Sequence, residues 1–332
     1  MRGLIVGFGS IGKRHAQNWS ALELGPLEVC HRDDDLQAAL ARKPDAVLVC
    51  NPTSLHIETA CAALQAGAHV LVEKPLGNAQ DGVTELLRAA DITSKTLIVG
   101  YNFRFHPGLA RLKRLIHTNA IGKITSVRAE VGEYLPDWHP WEDYRRGYSA
   151  RADLGGGPVL TFSHELDTLC WLLGQPPQRL TAFATRSSSL EIDTEDVAEI
   201  VLEFPSRILA TVHLDYIRRP PQRAIELVGE AGVVRWEYEA NRLLRYAPAT
   251  RQWTVEEGDP RYERNQMYRA ELRQFAALIR GEGRGELATG EQAAAILSIA
   301  LAALRSSREG RAIEFDNPEL PEATWLTSLR TR

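Results

Sequence analysis

Leu4-Ile5-Val6-Gly7-Phe8-Gly9-Ser10-Ile11-Gly12 is the stretch that decides the fold. An apolar strand runs directly into G-x-G-x-x-G, and the last glycines open a helical pattern over residues 11–22. In that context the first glycine permits a tight turn. The second lets a pyrophosphate approach the backbone, and the third lets helix pack closely on strand. The helix start at Ser10 and Ile11 then offers unpaired N–H groups to the anion. Working outward, apolar runs at 27–30, 46–50, 69–72 and 96–99 alternate with helical patterns at 36–41, 54–66, 79–90 and 108–116. Such alternation predicts βαβ units and a parallel sheet, with continuous apolar strands covered on both faces.

Past residue 120 the pattern changes. A long strand is expected at 124–134, a polar aromatic loop at 136–152, and a helix running from Gly155-Gly156-Gly157-Pro158 to about Leu173. Strand patterns at 180–187, 196–204, 208–216, 222–229 and 232–238, joined by short turns, predict an antiparallel sheet. Helices follow at 268–280 and 289–307, then a Pro-rich irregular tail. The fold class is therefore α/β. A doubly wound Rossmann domain covers 1–120, and an α+β domain with a large, mainly antiparallel sheet covers 121–332, for substrate binding and oligomerisation.

Composition narrows the function classes. The 332 residues carry a net charge of −4, with 44% hydrophobic and 25% charged residues, as in ordinary soluble protein. A slightly acidic chain is a poor sequence-independent nucleic-acid binder, which needs surplus Lys and Arg. No apolar run approaches the roughly 18 residues of a membrane span. The sequence enters a strand at once, without a signal-peptide region, and its four cysteines show no metal-ligand spacing. Buried, reduced thiols, a cytoplasmic location and no metal site are the expectation.

The ends of parallel strands face the cofactor crevice. They supply Asn51, Pro52, Thr53 and His56 after the third strand, Glu73 and Lys74 after the fourth, and Asn102 after the fifth. Tyr101 and Arg104, beside Asn102, are substrate candidates. After the second strand, Cys30-His31-Arg32-Asp33 puts His31 where an acid would hold a ribose 2′-hydroxyl. A cationic pair there favours a 2′-phosphate, hence NADP over NAD, with Asp33 close enough to act the other way.

Glu73-Lys74-Pro75, the glycine turn, Gly100-Tyr101-Asn102-Phe103-Arg104-Phe105, and Gly155-Gly156-Gly157 followed by Ser163-His164-Glu165-Leu166-Asp167 together resemble the glucose–fructose oxidoreductase / inositol dehydrogenase / MocA-like (Gfo/Idh/MocA) family. The resemblance covers nearly the whole chain. It implies NAD(P)-dependent oxidation or reduction of sugars, inositols or related polyols. It also implies a cis Lys74–Pro75 peptide and a homodimer or homotetramer formed through the open face of the C-terminal sheet. Hydride transfer at a carbinol needs a group to take the hydroxyl proton, or to return it in the reverse direction. Lys74 is the first candidate. On residues alone His164 reads as a core histidine, and the resemblance turns it to catalysis. Asp167, three residues on, shares a helix face with it and can orient the imidazole, bind a hydroxyl or pair within the helix. Many members carry an aspartate three or four residues before this histidine. Here those positions are Thr161 and Leu160, and a hydroxyl cannot act as a carboxylate.

The loop Trp138-His139-Pro140-Trp141-Glu142-Asp143-Tyr144 offers Trp141 and Tyr144 to a sugar ring or base, or else packs on a neighbouring domain or subunit. Ile217-Arg218-Arg219-Pro220-Pro221-Gln222-Arg223 offers Arg218 to an anionic substrate, or is a solvated turn. The loop over 138–144 together with Leu160-Thr161-Phe162-Ser163-His164-Glu165 resembles a subgroup of bacterial surface-sugar pathways, which implies sialic-acid-like or nucleotide-activated sugars and agrees with an anion-binding arginine cluster. Two other readings share the fold: a glycoside hydrolase using NAD transiently, and a non-catalytic cofactor-binding regulator.

Overall fold

The strand leading into the glycine turn, β1 (Gly3–Val6), lies inside a six-stranded sheet in the computed structural model, which describes residues 1–315. It is followed by α1 (Ser10–Ala21), β2 (Leu27–Cys30), α2 (Leu36–Leu40), β3 (Ala46–Val49), α3 (His56–Gln65), β4 (His69–Val72), α4 (Val83–Thr93) and β5 (Leu97–Val99). β2, β1, β3, β4 and β5 lie side by side, every neighbouring pair parallel. β1 therefore has β2 on one side and β3 on the other, the switch point at which a crevice opens beyond the strand ends. β1, β3 and β5 are buried throughout, as expected for strands covered on both faces. α4 begins at Val83, four residues later than expected from the pattern, because Gly82 before it takes φ of +78°.

This first unit comprises residues 1–105, 153–155 and 264–297. A division at residue 120 would leave 264–297 with the second domain, whereas their packing lies with the first. The helix Asn265–Ile279 lays Leu272 and Phe275 into one cluster with Ile5, Leu48, Leu71 and Ile98. The strand Ala288–Thr289 then adds antiparallel to β5 and covers that edge.

The second unit comprises 106–152, 156–263 and residues from 298 on. Its elements are α5 (Pro107–His117), β6 (Ile124–Gly132), α6 (Pro158–Thr161), α7 (Ser163–Leu173), β7 (Arg179–Thr185), β8 (Val197–Phe204), β9 (Ile208–Asp215), β10 (Gln222–Gly229), β11 (Gly232–Glu237), β12 (Arg242–Ala247) and β13 (Gln252–Glu257). The sheet runs β13-β12-β11-β10-β6-β9-β8-β7 and ends on the strand Ile313–Glu314. It is antiparallel except where β6 pairs parallel with β9. β8 and β9 alternate cleanly: Ala198, Ile200, Leu202, Ala210, Val212 and Leu214 are buried, while Phe183 on β7, Val201 and Leu209 are 75%, 40% and 51% exposed. The helix expected from 158 to 173 is broken at Phe162, whose ring packs edge-on against Trp138 and Tyr216 at 5.6 and 5.5 Å. The hairpin β12–β13 is a further pair of strands beyond those the pattern predicts; β13 is exposed along its whole length, and its apolar alternation is only Trp253 and Val255. The Pro-rich tail lies outside the described residues, apart from its first few.

His106 caps α5, its Nδ1 accepting from the Gly108 amide at 3.0 Å. The ring is buried against Trp236, Tyr238 and Tyr262, with centroids 5.0, 5.5 and 4.9 Å away. That burial, with Arg223 nearby, pushes its pKa down to about 4.

All four cysteines are free thiols; Cys61 is half-buried and the other three are buried. Among the described residues no helix is long and apolar enough to cross a membrane, and no group of three or more His, Cys, Asp or Glu could hold a metal ion.

Candidate functional site

The glycine turn has the three properties its pattern requires. Gly7 takes φ of +92°, and a Cβ there would lie 2.6 Å from the Asn51 amide nitrogen. A Cβ on Gly12 would strike the Gly7 carbonyl oxygen, so only glycine lets α1 lie this close to β1. A Cβ on Gly9 would meet nothing within 4 Å. Gly9 is the N-cap of α1 and no side chain caps that end, so Ser10 and Ile11 begin a helix whose first N–H groups face outward. Two buried side-chain oxygens nearby in the chain's cofactor set, Asn51 Oδ1 and Asn102 Oδ1, have no hydrogen-bond partner. An open cradle, an uncapped helix start and two unpaired carboxamide oxygens fit a nicotinamide dinucleotide. His31 and Arg32 are exposed beyond β2; the His31 ring stands edge-on to Phe8 at 5.4 Å and its amide donates to Asp34 Oδ2 at 2.7 Å.

At the ends of β3 and β4 the structure reassigns several expected contacts. Asn51 donates through Nδ2 to Thr59 Oγ1 at 2.8 Å. His56 is buried, with Nδ1 2.8 Å from the Pro75 carbonyl oxygen and Nε2 2.9 Å from that of Asn51. Both ring nitrogens therefore face main chain, and His56 holds the turn instead of presenting its ring to a cofactor. Burial pushes its pKa below the ordinary value, against the pull of the two carbonyls and Glu73. Glu73 is likewise occupied: its Oε1 accepts from His15 Nε2 at 2.7 Å, and its Oε2 lies 3.3 Å from the Lys74 amide. Burial raises the Glu73 pKa, but the bond to His15 and the charges of His15 and Lys74 outweigh it and hold the carboxyl below its usual range. Lys74 itself is half-buried, and the Lys74–Pro75 peptide is cis. Pro52 and Thr53 lead into α3, with Thr53 buried. Tyr101 is buried, and Arg104 is spent inside the first unit, donating to Gln292 Oε1 at 2.9 Å.

In the second unit α7 carries His164, Glu165 and Asp167, all buried. Glu165 meets Arg223 Nε at 2.7 Å, with both side chains almost wholly enclosed. Burial raises the Glu165 pKa against the pull of that guanidinium. Arg223 is thus unavailable to a substrate. Arg218, hydrogen-bonded to Gln222, and Arg219, lying over the Tyr134 ring 3.8 Å from its centroid, are both exposed. A hollow of about 490 Å³ opens beside Arg218, lined also by His213, Asp215, Ile217 and Arg219 and by none of Lys74, His164 or Asp167. Thr161 accepts from the buried Tyr216 hydroxyl at 2.6 Å. In the aromatic loop Trp141 is 76% exposed, while Tyr144 Oη accepts from the Glu191 amide at 3.2 Å.

The residues that reading the sequence missed are His15, Tyr216 and the Glu165–Arg223 pair. His15 had a signal: it lies one turn beyond Gly12 on the helix face that must pack on the sheet. The pair had none, since 58 residues separate its members.

Two family models match the chain: "Oxidoreductase family, NAD-binding Rossmann fold" over residues 23–101, and "GFO/IDH/MocA C-terminal domain" over residues 109–235. Inositol 2-dehydrogenase 2 of Saccharopolyspora erythraea is 30% identical over 80% of this chain and 75% of its own. The 1,5-anhydro-D-fructose reductase of Ensifer adhaerens is 26% identical over 82% and 80%. Among solved structures, the WlbA dehydrogenase of Bordetella pertussis, in complex with NADH and UDP-GlcNAcA, superposes with a TM-score of 0.79 at 22% identity, covering 96% of this chain and 99% of that one.

Proposed function

The chain belongs to the GFO/IDH/MocA family of oxidoreductases, and on that premise we propose that it is an NAD(P)-dependent dehydrogenase or reductase acting on a hydroxyl or keto group of a sugar, sugar acid, nucleotide sugar or polyol. The observation that carries this reading is the open Gly9 position at the uncapped start of α1, in the same unit that ends β4 with Lys74. Gly7, Gly9, Ser10, Ile11 and Gly12 would hold the pyrophosphate, and Asn51, Pro52, Thr53 and Asn102 the nicotinamide end. The cofactor, when bound, accepts or gives a hydride. Lys74 takes the proton of the reacting hydroxyl or returns it to the carbonyl oxygen. His164, with Asp167 one turn along the same helix, is the second proton-handling group; Thr161, paired with the Tyr216 hydroxyl, offers no carboxylate, so Asp167 supplies the charge or Lys74 and His164 act without one.

The finer cofactor preference rests on His31 and Arg32. No acid follows β2 directly, and two cationic or polarisable groups suit a 2′-phosphate, so NADP is the preference proposed. The WlbA structure was solved with NADH, which argues the other way. Arg218, exposed with Arg219 in its turn, supports a substrate with a carboxylate or phosphate handle. The exposed Phe183, Val201 and Leu209 support self-association through the outer face of the second sheet.

The test is a screen of purified protein for reduced nicotinamide, run with NAD and NADP separately. Its panel is myo-inositol, free hexoses, hexuronic acids and UDP-activated uronic acids. Net reduction with one class, lost in Lys74→Met while cofactor binding persists, supports the reading. Hydrolysis of an aryl glycoside without net reduction would favour the glycosidase reading, and cofactor binding without turnover on any compound would favour the regulator.

A further inference from the structure

Lys74 is flanked in sequence by two residues that buried histidines hold. Glu73, before it, is bound through its carboxylate to His15 Nε2 at 2.7 Å. The carbonyl oxygen of Pro75, after it, lies 2.8 Å from His56 Nδ1, where an N–H on that nitrogen would hold it. Each histidine comes from an element that also carries cofactor candidates. His15 is on α1, which the glycine turn opens, and His56 begins α3, just after Asn51-Pro52-Thr53, and reaches the Asn51 carbonyl with its other nitrogen at 2.9 Å. Both rings are buried, His15 wholly so. A hydrogen bond lost at either place would strand a buried acceptor. The main chain on either side of Lys74 is therefore pinned to the two segments that form the cofactor cradle.

We propose that His15 and His56 are positioning residues for Lys74, fixing the main chain before and after it so that its amine is placed relative to the dinucleotide cradle. The inference deepens the reading of Lys74 as the proton-handling group and rests on that reading for its catalytic consequence. Neither histidine touches the reacting atoms.

The chemistry of the imidazole makes the test specific. An Asn carboxamide places a donor near the Nδ1 position, and a Gln carboxamide places one near Nε2. His15 works through Nε2, so His15→Gln keeps its bond to Glu73 and His15→Asn does not reach. The neutral His56 ring has a single N–H to give, and we place it on Nδ1, facing the Pro75 carbonyl: His56→Asn then keeps that bond, whereas His56→Gln offers its N–H to Asn51 instead. The expected pattern is crossed: Gln is the better replacement at 15 and Asn at 56. If the rings merely fill space, the larger Gln is better at both.

Two measurements read the pattern. The first is the amide signal of Lys74 in [15N]lysine-labelled protein, assigned by Lys74→Arg and recorded without and with NADH. His15→Gln and His56→Asn keep one sharp signal near its original position, whereas His15→Asn and His56→Gln shift or broaden it. The second is turnover with the reactive panel compound of the screen above. It falls on the order of tenfold to a hundredfold in the second pair and stays within about threefold in the first, with thermal unfolding of all four recorded alongside. Four unchanged Lys74 signals, or Gln superior at both positions, overturn the proposal. Should Lys74→Met keep full turnover, the acid–base reading fails by itself, and the amide signals still decide whether the histidines position Lys74.

Discussion

The buried histidine that caps α5 makes acid stability a quantitative test of the second unit's core. In the unfolded chain His106 titrates near 6.5, and in the fold near about 4. The folded value is depressed, so above pH 6.5 both states are neutral and the group costs nothing. As pH falls below 6.5 the unfolded chain takes up a proton that the folded chain refuses until about pH 4, and stability is lost across that window. Weighting each state by its proton occupancy gives a loss of about 2 kcal/mol between pH 7 and pH 5, and about 3 kcal/mol by pH 4. His106→Asn keeps an acceptor for the Gly108 amide and a good N-cap, and it removes the titrating group. It also leaves space among Trp236, Tyr238 and Tyr262, at a cost that does not depend on pH. The stability advantage of the wild-type protein over this variant should therefore shrink by about 2 kcal/mol from pH 7 to pH 5 in urea unfolding followed by tryptophan fluorescence. A ring-proton titration in the folded wild-type protein should leave His106 neutral at pH 5. A gap that stays constant with pH, or a His106 resonance titrating near 6.5, would refute the reasoning.

Other expectations follow from the same contacts. Gly9→Ala meets open space and should leave the melting temperature unchanged while weakening NADH binding. Gly12→Ala strikes the Gly7 carbonyl and should lower the melting temperature as well. Arg223→Ala strands the Glu165 carboxyl and should destabilise by about 3–5 kcal/mol, much of it recovered in Arg223→Ala/Glu165→Leu, as chemical denaturation would record. His213 is held by Asp215 at 2.9 Å and Glu199 at 2.6 Å, which raise its pKa to about 9. Its folded value lies above the unfolded one, so its contribution is full below pH 6.5 and lost as pH rises through about 9. Discounted for solvent, His213→Gln should cost about 1 kcal/mol at pH 6 and far less at pH 10.

Much of the first unit was legible because its information is local. Four apolar residues at 46–49, followed by Asn51-Pro52, define a buried strand and its exit without reference to anything distant. Gly7, Gly9 and Gly12 each have a separate steric reason that the spacing alone conveys. What the sequence could not convey was partnership. Arg223 and Arg218 look alike in a basic turn, yet one is enclosed with Glu165 and the other is exposed. His56 reads as one more polar residue at a strand end, and only the carbonyls on either side of its ring show it to be a fastener. The hairpin β12–β13 escaped for a different reason: the only apolar alternation in β13 is Trp253 and Val255, too short to mark a strand with no buried face. The site candidates thus stand where chain direction placed them, but which side chains remain open to a ligand depended on neighbours tens of residues away.

The return of residues 264–297 to the first unit bears on how this protein can be divided. The nucleotide-binding half is not a cassette encoded by one stretch of gene. A fragment ending after β5 lacks Leu272, Phe275 and Leu287, all fully buried against Ile5 and Ile98. It also bares the edge of β5 that Ala288–Thr289 covers, leaving a ready template for strand pairing between molecules. Recombination or fusion at residue 105 would therefore transplant an incomplete core. Inheritance of this cofactor module requires residues 1–105 and 264–297 to travel together, and an exchange of 106–263 alone would in turn leave behind the residues from 298 on that complete the second unit, among them Ser306, whose hydroxyl accepts from the Ala182 amide at 3.0 Å.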